Sequence, residues 1–157
     1  MKIAVVLFNL GGPDSLPAVE PFLRNLFSDP AIISLPGFVR RPLARLIARR
    51  RAPIAREIYA HMGGRSPIVQ ETEAQAPVLE GAVRASGHGG QCVIAMRYWH
   101  PMTAEAVERV KAFSPDRIVL LPLYPQFSTT TTASSRSEWQ MVARRAGVNT
   151  PLHEACC

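Results

Sequence analysis

Cysteine is scarce in this chain. Only Cys92, Cys156 and Cys157 occur among 157 residues. No two of them have the spacing of a metal-ligand pair, and adjacent cysteines rarely bond to each other. A zinc module and a disulfide framework are excluded, and a reduced, cytosolic setting is expected. No apolar run approaches the roughly 20 residues that a spanning helix needs. Met1-Lys-Ile-Ala-Val-Val-Leu-Phe8 is short and apolar, but it ends in Asn-Leu-Gly-Gly-Pro13 rather than a small-residue cleavage site. It therefore reads as a strand and not as a signal peptide. Neither G-x-G-x-x-G nor G-x-x-x-x-G-K-[ST] is present, so both nucleotide fingerprints are missing. Internal repeats are absent, and the one low-complexity feature is the run Thr129–Thr132.

Acid is also missing where base is concentrated. No Asp or Glu occurs between Asp29 and Glu57, and seven arginines lie from Arg40 to Arg56, within a net charge of +6. Such a patch suits an anionic partner: a carboxylate or phosphate ligand, a membrane surface, or nucleic acid. No nucleic-acid motif accompanies the charge.

At 47% apolar content the chain can bury a sizeable core. Its 14 prolines and 10 glycines divide it into short elements. Lys2–Phe8, Cys92–Met96 and Arg117–Leu123 read as buried strands, and Leu152–Cys157 as the start of a fourth. Helices are predicted from Asp14 or Ser15 to Phe27, and over Val39–Arg51 with Val39, Leu43, Leu46 and Ile47 on its apolar face. Pro53 begins a short helix ending at Gly63-Gly64. Pro67 opens a longer one with Ile68, Thr72, Ala76 and Leu79 at helical spacing. Thr103–Phe113 follows, capped by Thr103, and Ser134 or Ser135 starts a helix to Ala146. The alternation predicts an α/β fold, an open parallel sheet with flanking helices.

In such sheets ligands bind beyond the carboxyl ends of the strands. Three segments meet there: Asn9–Pro13, Arg97-Tyr-Trp-His-Pro101 and Tyr124–Ser135. The first is a tight turn or a phosphate-type turn. Arg97 can clamp a carboxylate. His100 is a base, a metal ligand or a loop histidine bonded to backbone. The third is either a loop capping the sheet or a wall for a large flat or anionic ligand.

These segments resemble a known family. Asn9-Leu-Gly-Gly-Pro13, Arg50-Arg51-Ala-Pro53, Tyr59, Gly63-Gly-Arg-Ser-Pro-Ile68, Met96-Arg-Tyr-Trp-His-Pro101 and Leu123-Tyr-Pro-Gln-Phe-Ser-Thr-Thr-Thr-Thr-Ala-Ser-Ser135 occur in the order and spacing of the ferrochelatases. Those enzymes insert Fe²⁺ into a porphyrin, and the pattern is closer to the protoporphyrin IX enzymes than to the coproporphyrin ones. The resemblance implies a chelatase-like, Rossmann-like lobe over residues 1–157, incomplete at its C-terminus. It implies that Leu10 faces the porphyrin, that Arg51, Tyr59 and Ser66 contact the macrocycle and its propionates, and that Arg97, Tyr98 and Tyr124 line the inner cleft. Ile32–Phe38 would form an apolar lip, and Ile32 to Arg51 would touch a membrane surface.

The family's catalytic histidine, in Ser-x-His-Ser-Leu-Pro, and its catalytic glutamate have no counterpart here. No catalytic residue is therefore assigned to this chain, and the chain alone is expected to be inactive. Thr129 stands where animal enzymes carry a [2Fe–2S] cysteine ligand, so no cluster and no resident metal are expected, with Fe²⁺ entering only as substrate. An unpaired edge beside Leu152–Cys157 implies association with a second copy. The competing reading is a non-catalytic porphyrin- or membrane-binding module.

Overall fold

The computed structural model describes residues 1–155. Cys156 and Cys157, expected to continue the last strand, lie outside the described residues. The elements run β1 Lys2–Asn9, α1 Val19–Phe27, α2 Gly37–His61, α3 Ile68–Ala85, β2 Gly89–Met96, α4 Thr103–Phe113, β3 Arg117–Pro122, α5 Thr132–Arg145 and β4 Leu152–Glu154. They divide into two compact units, residues 1–10 with 70 onward, and Gly11–Val69.

The first unit holds the sheet. Its four strands are parallel in the order β2-β1-β3-β4. Ala4–Phe8 of β1 is buried throughout, which is why it reads as a continuous apolar run rather than an alternating one. Ala4, Val6 and Phe8 join Val93, Ala95, Ile118 and Leu120 in one core with Val107 and Val110 of α4 and Trp139 of α5. Phe8 and Trp139 meet as tilted rings 6.1 Å apart, within the range where aromatic pairs add to plain burial. Elsewhere in this unit a groove of about 380 Å³ lies between Leu7, Leu121 and Leu123 of the sheet side and Val78 and Leu79 of α3.

The outer edge of β2 is occupied by side chains of α3. Cys92 N–H donates to Glu80 Oε1 at 2.8 Å. Arg84 makes a longer contact of 3.5 Å to the Gly90 carbonyl and pairs with Glu80 at 3.2 Å. Satisfying edge groups in this way blunts strand addition. Burial, with the Glu80 charge, pushes the Cys92 thiol up to about 11 against the opposing pull of Arg84. Such a thiol is unreactive at neutral pH.

The second unit holds α1 and α2, and it departs from expectation. Asp14 and Ser15 do not cap α1. The Ser15 hydroxyl donates to the Asp14 carboxylate instead, turns run from Ser15 to Val19, and the helix starts at Val19. The break expected at Pro53 is also absent, since α2 runs unbroken for 25 residues with Pro42 and Pro53 inside it. An interior proline costs about 3 kcal/mol, so packing must offset it. Ala44, Ala48 and Ala52 are buried at four-residue spacing on α2, and α1 is the element packed against this helix. The buried face is this alanine row and not Val39, Leu43, Leu46 and Ile47. Val39 and Leu46 are exposed, as are Phe38, Ile54, Ile58 and Met62. Among the described residues no helix is long and apolar enough to cross a membrane.

Ala48 is 1% exposed, so a larger side chain has no room. Ala48→Leu should lower stability by about 1–3 kcal/mol through overpacking, read by urea denaturation. A wild-type midpoint would show that the α1–α2 contact yields without cost.

Candidate functional site

Pairing continues past the ends of the strands. Arg97 N–H donates to the Asn9 carbonyl at 2.9 Å, Tyr98 N–H to the Leu10 carbonyl at 3.0 Å, and Leu123 N–H to the Phe8 carbonyl at 2.9 Å. The chain leaving β2 and β3 is thereby held against the end of β1. Leu10 sits there, half-buried against the core, and the Asn9 amide donates to Thr72 Oγ1 at 3.2 Å.

Arg97, Tyr98 and Tyr124 are brought together by α5. The Arg97 Nε donates to Ser134 Oγ at 2.7 Å. Its Nη2 lies 3.9 Å from Glu138 Oε2, and the guanidinium sits 5.0 Å over the Tyr98 ring. Tyr124 and Ser135 share a buried hydroxyl–hydroxyl bond of 2.8 Å. The Tyr98 hydroxyl reaches toward the Thr130 carbonyl at 3.4 Å. Ser128 Oγ receives the Thr130 amide at 3.2 Å and bonds its hydroxyl at 2.9 Å. Burial pushes the Tyr124 phenol up, and the Ser135 bond and the Arg97 charge pull it partly back. A phenol in that state donates hydrogen bonds and does not serve as a base at neutral pH.

Helix α5 starts at Thr132, two residues before the expected start. The threonine run thus straddles loop and first helical turn. Ser134 and Ser135, expected only as helix openers, are the partners of Arg97 and Tyr124. Glu138 was missed. Ser134 and Glu138 are four residues apart and so share a helix face, and that spacing was the available signal.

Arg51, Tyr59 and Ser66 belong to the second unit. The Arg51 guanidinium lies 5.9 Å from the Phe27 ring centroid. Tyr59 is half-buried, and burial pushes its phenol up. Gly63 and Gly64 follow α2 at φ +85° and +83°, which suits glycine and turns the chain toward Ser66. The Ser66 N–H donates to the Pro13 carbonyl at 2.8 Å, and its hydroxyl accepts the Ile68 amide at 3.4 Å.

His100 bonds to a side chain and not to backbone. Its Nδ1 is 2.8 Å from Glu105 Oε2, and its ring meets Trp99 edge-on at 5.3 Å. Glu105 Oε2 also accepts the Met102 amide at 2.6 Å. Met102, not Thr103, is the N-cap residue of α4. Burial pushes the Glu105 carboxyl up, but the Met102 amide and His100 outweigh it and hold the group below the ordinary glutamate range. Among the described residues no three His, Cys, Asp or Glu side chains gather to hold a metal ion.

The fold is an α/β lobe with an open parallel sheet, whose carboxyl edge carries an oriented arginine and buried hydroxyls where such sheets carry their sites. The ferrochelatase family profile matches residues 2–157. Relatives named ferrochelatase include one from Caulobacter vibrioides (strain NA1000 / CB15N), 57% identical over 153 residues, covering 96% of this chain and 44% of the relative. One from Phenylobacterium zucineum (strain HLK1) is 55% identical, covering 100% of this chain and 46% of the relative. One from Pelagibacter ubique (strain HTCC1062) is 46% identical, with the same two coverages. The chain belongs to the ferrochelatase family, and it spans about half the length of the curated relatives it matches.

The Glu105 carboxylate caps α4, so Glu105→Gln should cost roughly 0.5–1 kcal/mol near pH 7. A depressed carboxyl contributes stability above its unfolded pKa and loses it as pH falls through the folded value. The difference between wild type and variant should therefore vanish on acidification. Thermal melting across the acid range checks this, and a pH-independent difference would mean that the carboxylate charge is irrelevant.

Proposed function

We propose that this chain forms the N-terminal porphyrin-binding lobe of an enzyme that inserts Fe²⁺ into protoporphyrin IX to make protohaem. The observation that carries this reading is the ferrochelatase match spanning residues 2–157. The chemistry of the candidate residues agrees with it. A flat apolar ring needs apolar walls, which Leu10 and the body of Tyr59 supply. Two propionates need cations and donors, which Arg51 and Ser66 supply. Arg97, Tyr98 and Tyr124 form the inner wall, where Ser134 fixes the guanidinium before any ligand arrives.

Fe²⁺ enters the ring as two pyrrole N–H protons leave. A cleft that bends the porphyrin exposes its nitrogens, with the strain offset by contacts elsewhere on the ring. The proton acceptors would be the family's catalytic histidine and glutamate, whose motifs are not in this sequence. In this reading the chain binds porphyrin and does not metallate it. Thr129 offers an alcohol where a cluster would need a thiolate, so no [2Fe–2S] centre belongs to this lobe.

Exposed Leu35, Phe38, Ile54, Ile58 and Met62, interleaved with exposed Arg41, Arg45, Arg49 and Arg50, suit the cytoplasmic surface of an anionic membrane. That surface would deliver a greasy substrate, and it favours lipid over nucleic acid as the partner of the basic patch. Strand β4 pairs only with β3 among the described residues, so its outer edge is the surface on which a second copy would add.

Protoporphyrin IX titrated into the chain should give a saturable shift of its absorbance band, and no binding would sink the proposal. Arg51→Leu should weaken the apparent affinity by roughly ten- to a hundredfold, the equivalent of about 1.5–3 kcal/mol for a charge-assisted pair. Unchanged affinity would leave Arg51 as a solvated helix residue. With Fe²⁺ or Zn²⁺ added, no metalloporphyrin should form above the uncatalysed rate. Turnover would place a catalytic group within this chain.

A further inference from the structure

The turn Gly11-Gly12-Pro13 contains two glycines that serve different ends. Gly11 has φ +81° and needs glycine for its backbone conformation. Gly12 lies outside the positive-φ region, so its backbone would accept any residue. The reason for glycine there is space. A Cβ built on Gly12 would fall far inside contact distance of both Ser66 Cβ and Ser66 Oγ, and 3.4 Å from Ile68 Cγ2. The neighbouring Pro13 carbonyl takes the Ser66 N–H at 2.8 Å. Ser66 Oγ in turn accepts the Ile68 amide at 3.4 Å, at the start of α3. That bond uses the hydroxyl as an acceptor, and its rotatable proton remains able to donate. Both glycines and Ser66 are buried or half-buried within one compact unit, so a displaced Ser66 has little room to return to its place.

We infer that Gly12 is a positioning residue: its missing side chain is the seat that sets the Ser66 hydroxyl toward the carboxylate of a bound ligand. This deepens the reading of Ser66 as a porphyrin contact and rests on it. The backbone is pinned by Pro13 and the side chain is pressed against Gly12, so one methyl group moves the hydroxyl and not merely its neighbours.

The test is a size swap. Wild type, Gly12→Ala, Ser66→Ala, Ser66→Gly and the Gly12→Ala/Ser66→Gly double variant are compared by thermal melting and by protoporphyrin IX titration. Gly12→Ala should melt lower than wild type and lose affinity by roughly tenfold, about as much as Ser66→Ala. In the double variant the removed Ser66 atoms vacate the space that the Gly12→Ala methyl needs. Melting should therefore recover from the Gly12→Ala level toward that of Ser66→Gly, while affinity stays at the Ser66→Gly level. Recovery of melting without affinity separates a seat for a ligand contact from general packing. A double variant melting no higher than Gly12→Ala, or a Gly12→Ala variant with wild-type affinity, overturns the seat. Wild-type affinity in Ser66→Ala overturns Ser66 as a contact. Absence of binding by wild type overturns the porphyrin reading, and the melting swap still decides whether Gly12 seats Ser66.

Discussion

Strand β1 is the constraint on which the sheet unit depends. It lies between β2 and β3, paired on both sides in register from Lys2–Gly89 to Asn9–Met96 and from Ile3–Arg117 to Phe8–Pro122. The backbone of β1 then accepts two more bonds, from Arg97 and Leu123, and Leu10 just after it accepts a third from Tyr98. A slip of one residue would move Ala4, Val6 and Phe8 away from the core they share with α4 and α5 and onto the opposite face of the sheet. The register that fills the core therefore also fixes where the segments after β2 and β3 leave the sheet. The position of the Arg97 backbone is a consequence of Val6 and Phe8 being buried.

Much of this was legible in the chain. Strand and helix order follow from apolar runs alternating with helical periods, and the parallel sheet follows from that alternation. The convergence of Asn9, Arg97 and Tyr124 follows from the rule that such sheets carry their sites at one edge. The failures have local causes. Asp14 and Ser15 look like caps, but the Ser15 hydroxyl is spent on the Asp14 carboxylate. Pro53 looks like a helix end because its intrinsic cost is large, and a single sequence does not announce that the Ala44–Ala48–Ala52 row will offset it. The apolar face of α2 was misread because large side chains are usually the buried ones. Here the smallest are buried, since a close helix contact admits only methyl groups. The partners of Arg97 were missed because Ser134 and Glu138 lie 37 and 41 residues further along the chain, and only the folded sheet brings them near.

The inversion on α2 bears on function. With alanines packed inward, Phe38, Leu46, Ile54 and Ile58 are left outward. Each such side chain forgoes part of the roughly 1.5–3 kcal/mol that full burial would give. Ordinary surfaces scatter single apolar residues, and four large ones on one helix are more than such scatter supplies. The exposed arginines among them narrow the choice of cover to something apolar with negative charge. In the reading proposed above, a membrane leaflet and a porphyrin with two propionates both meet that description.

The sheet unit handles its charge differently. Arg97 is 15% exposed and could have been neutralised by a close carboxylate. Its short bond goes instead to a neutral hydroxyl, Ser134 at 2.7 Å, while Glu138 stands off at 3.9 Å. A hydroxyl orients a guanidinium through its Nε without cancelling the charge. A bidentate carboxylate would engage the fork through both of its oxygens. Tyr98 contributes in the same way, offering a ring face that attracts a cation but carries no net charge. The guanidinium is thereby oriented, and its charge lowers the Tyr124 phenol from where burial alone would put it. Two neutral groups and one more distant carboxylate thus surround this cation.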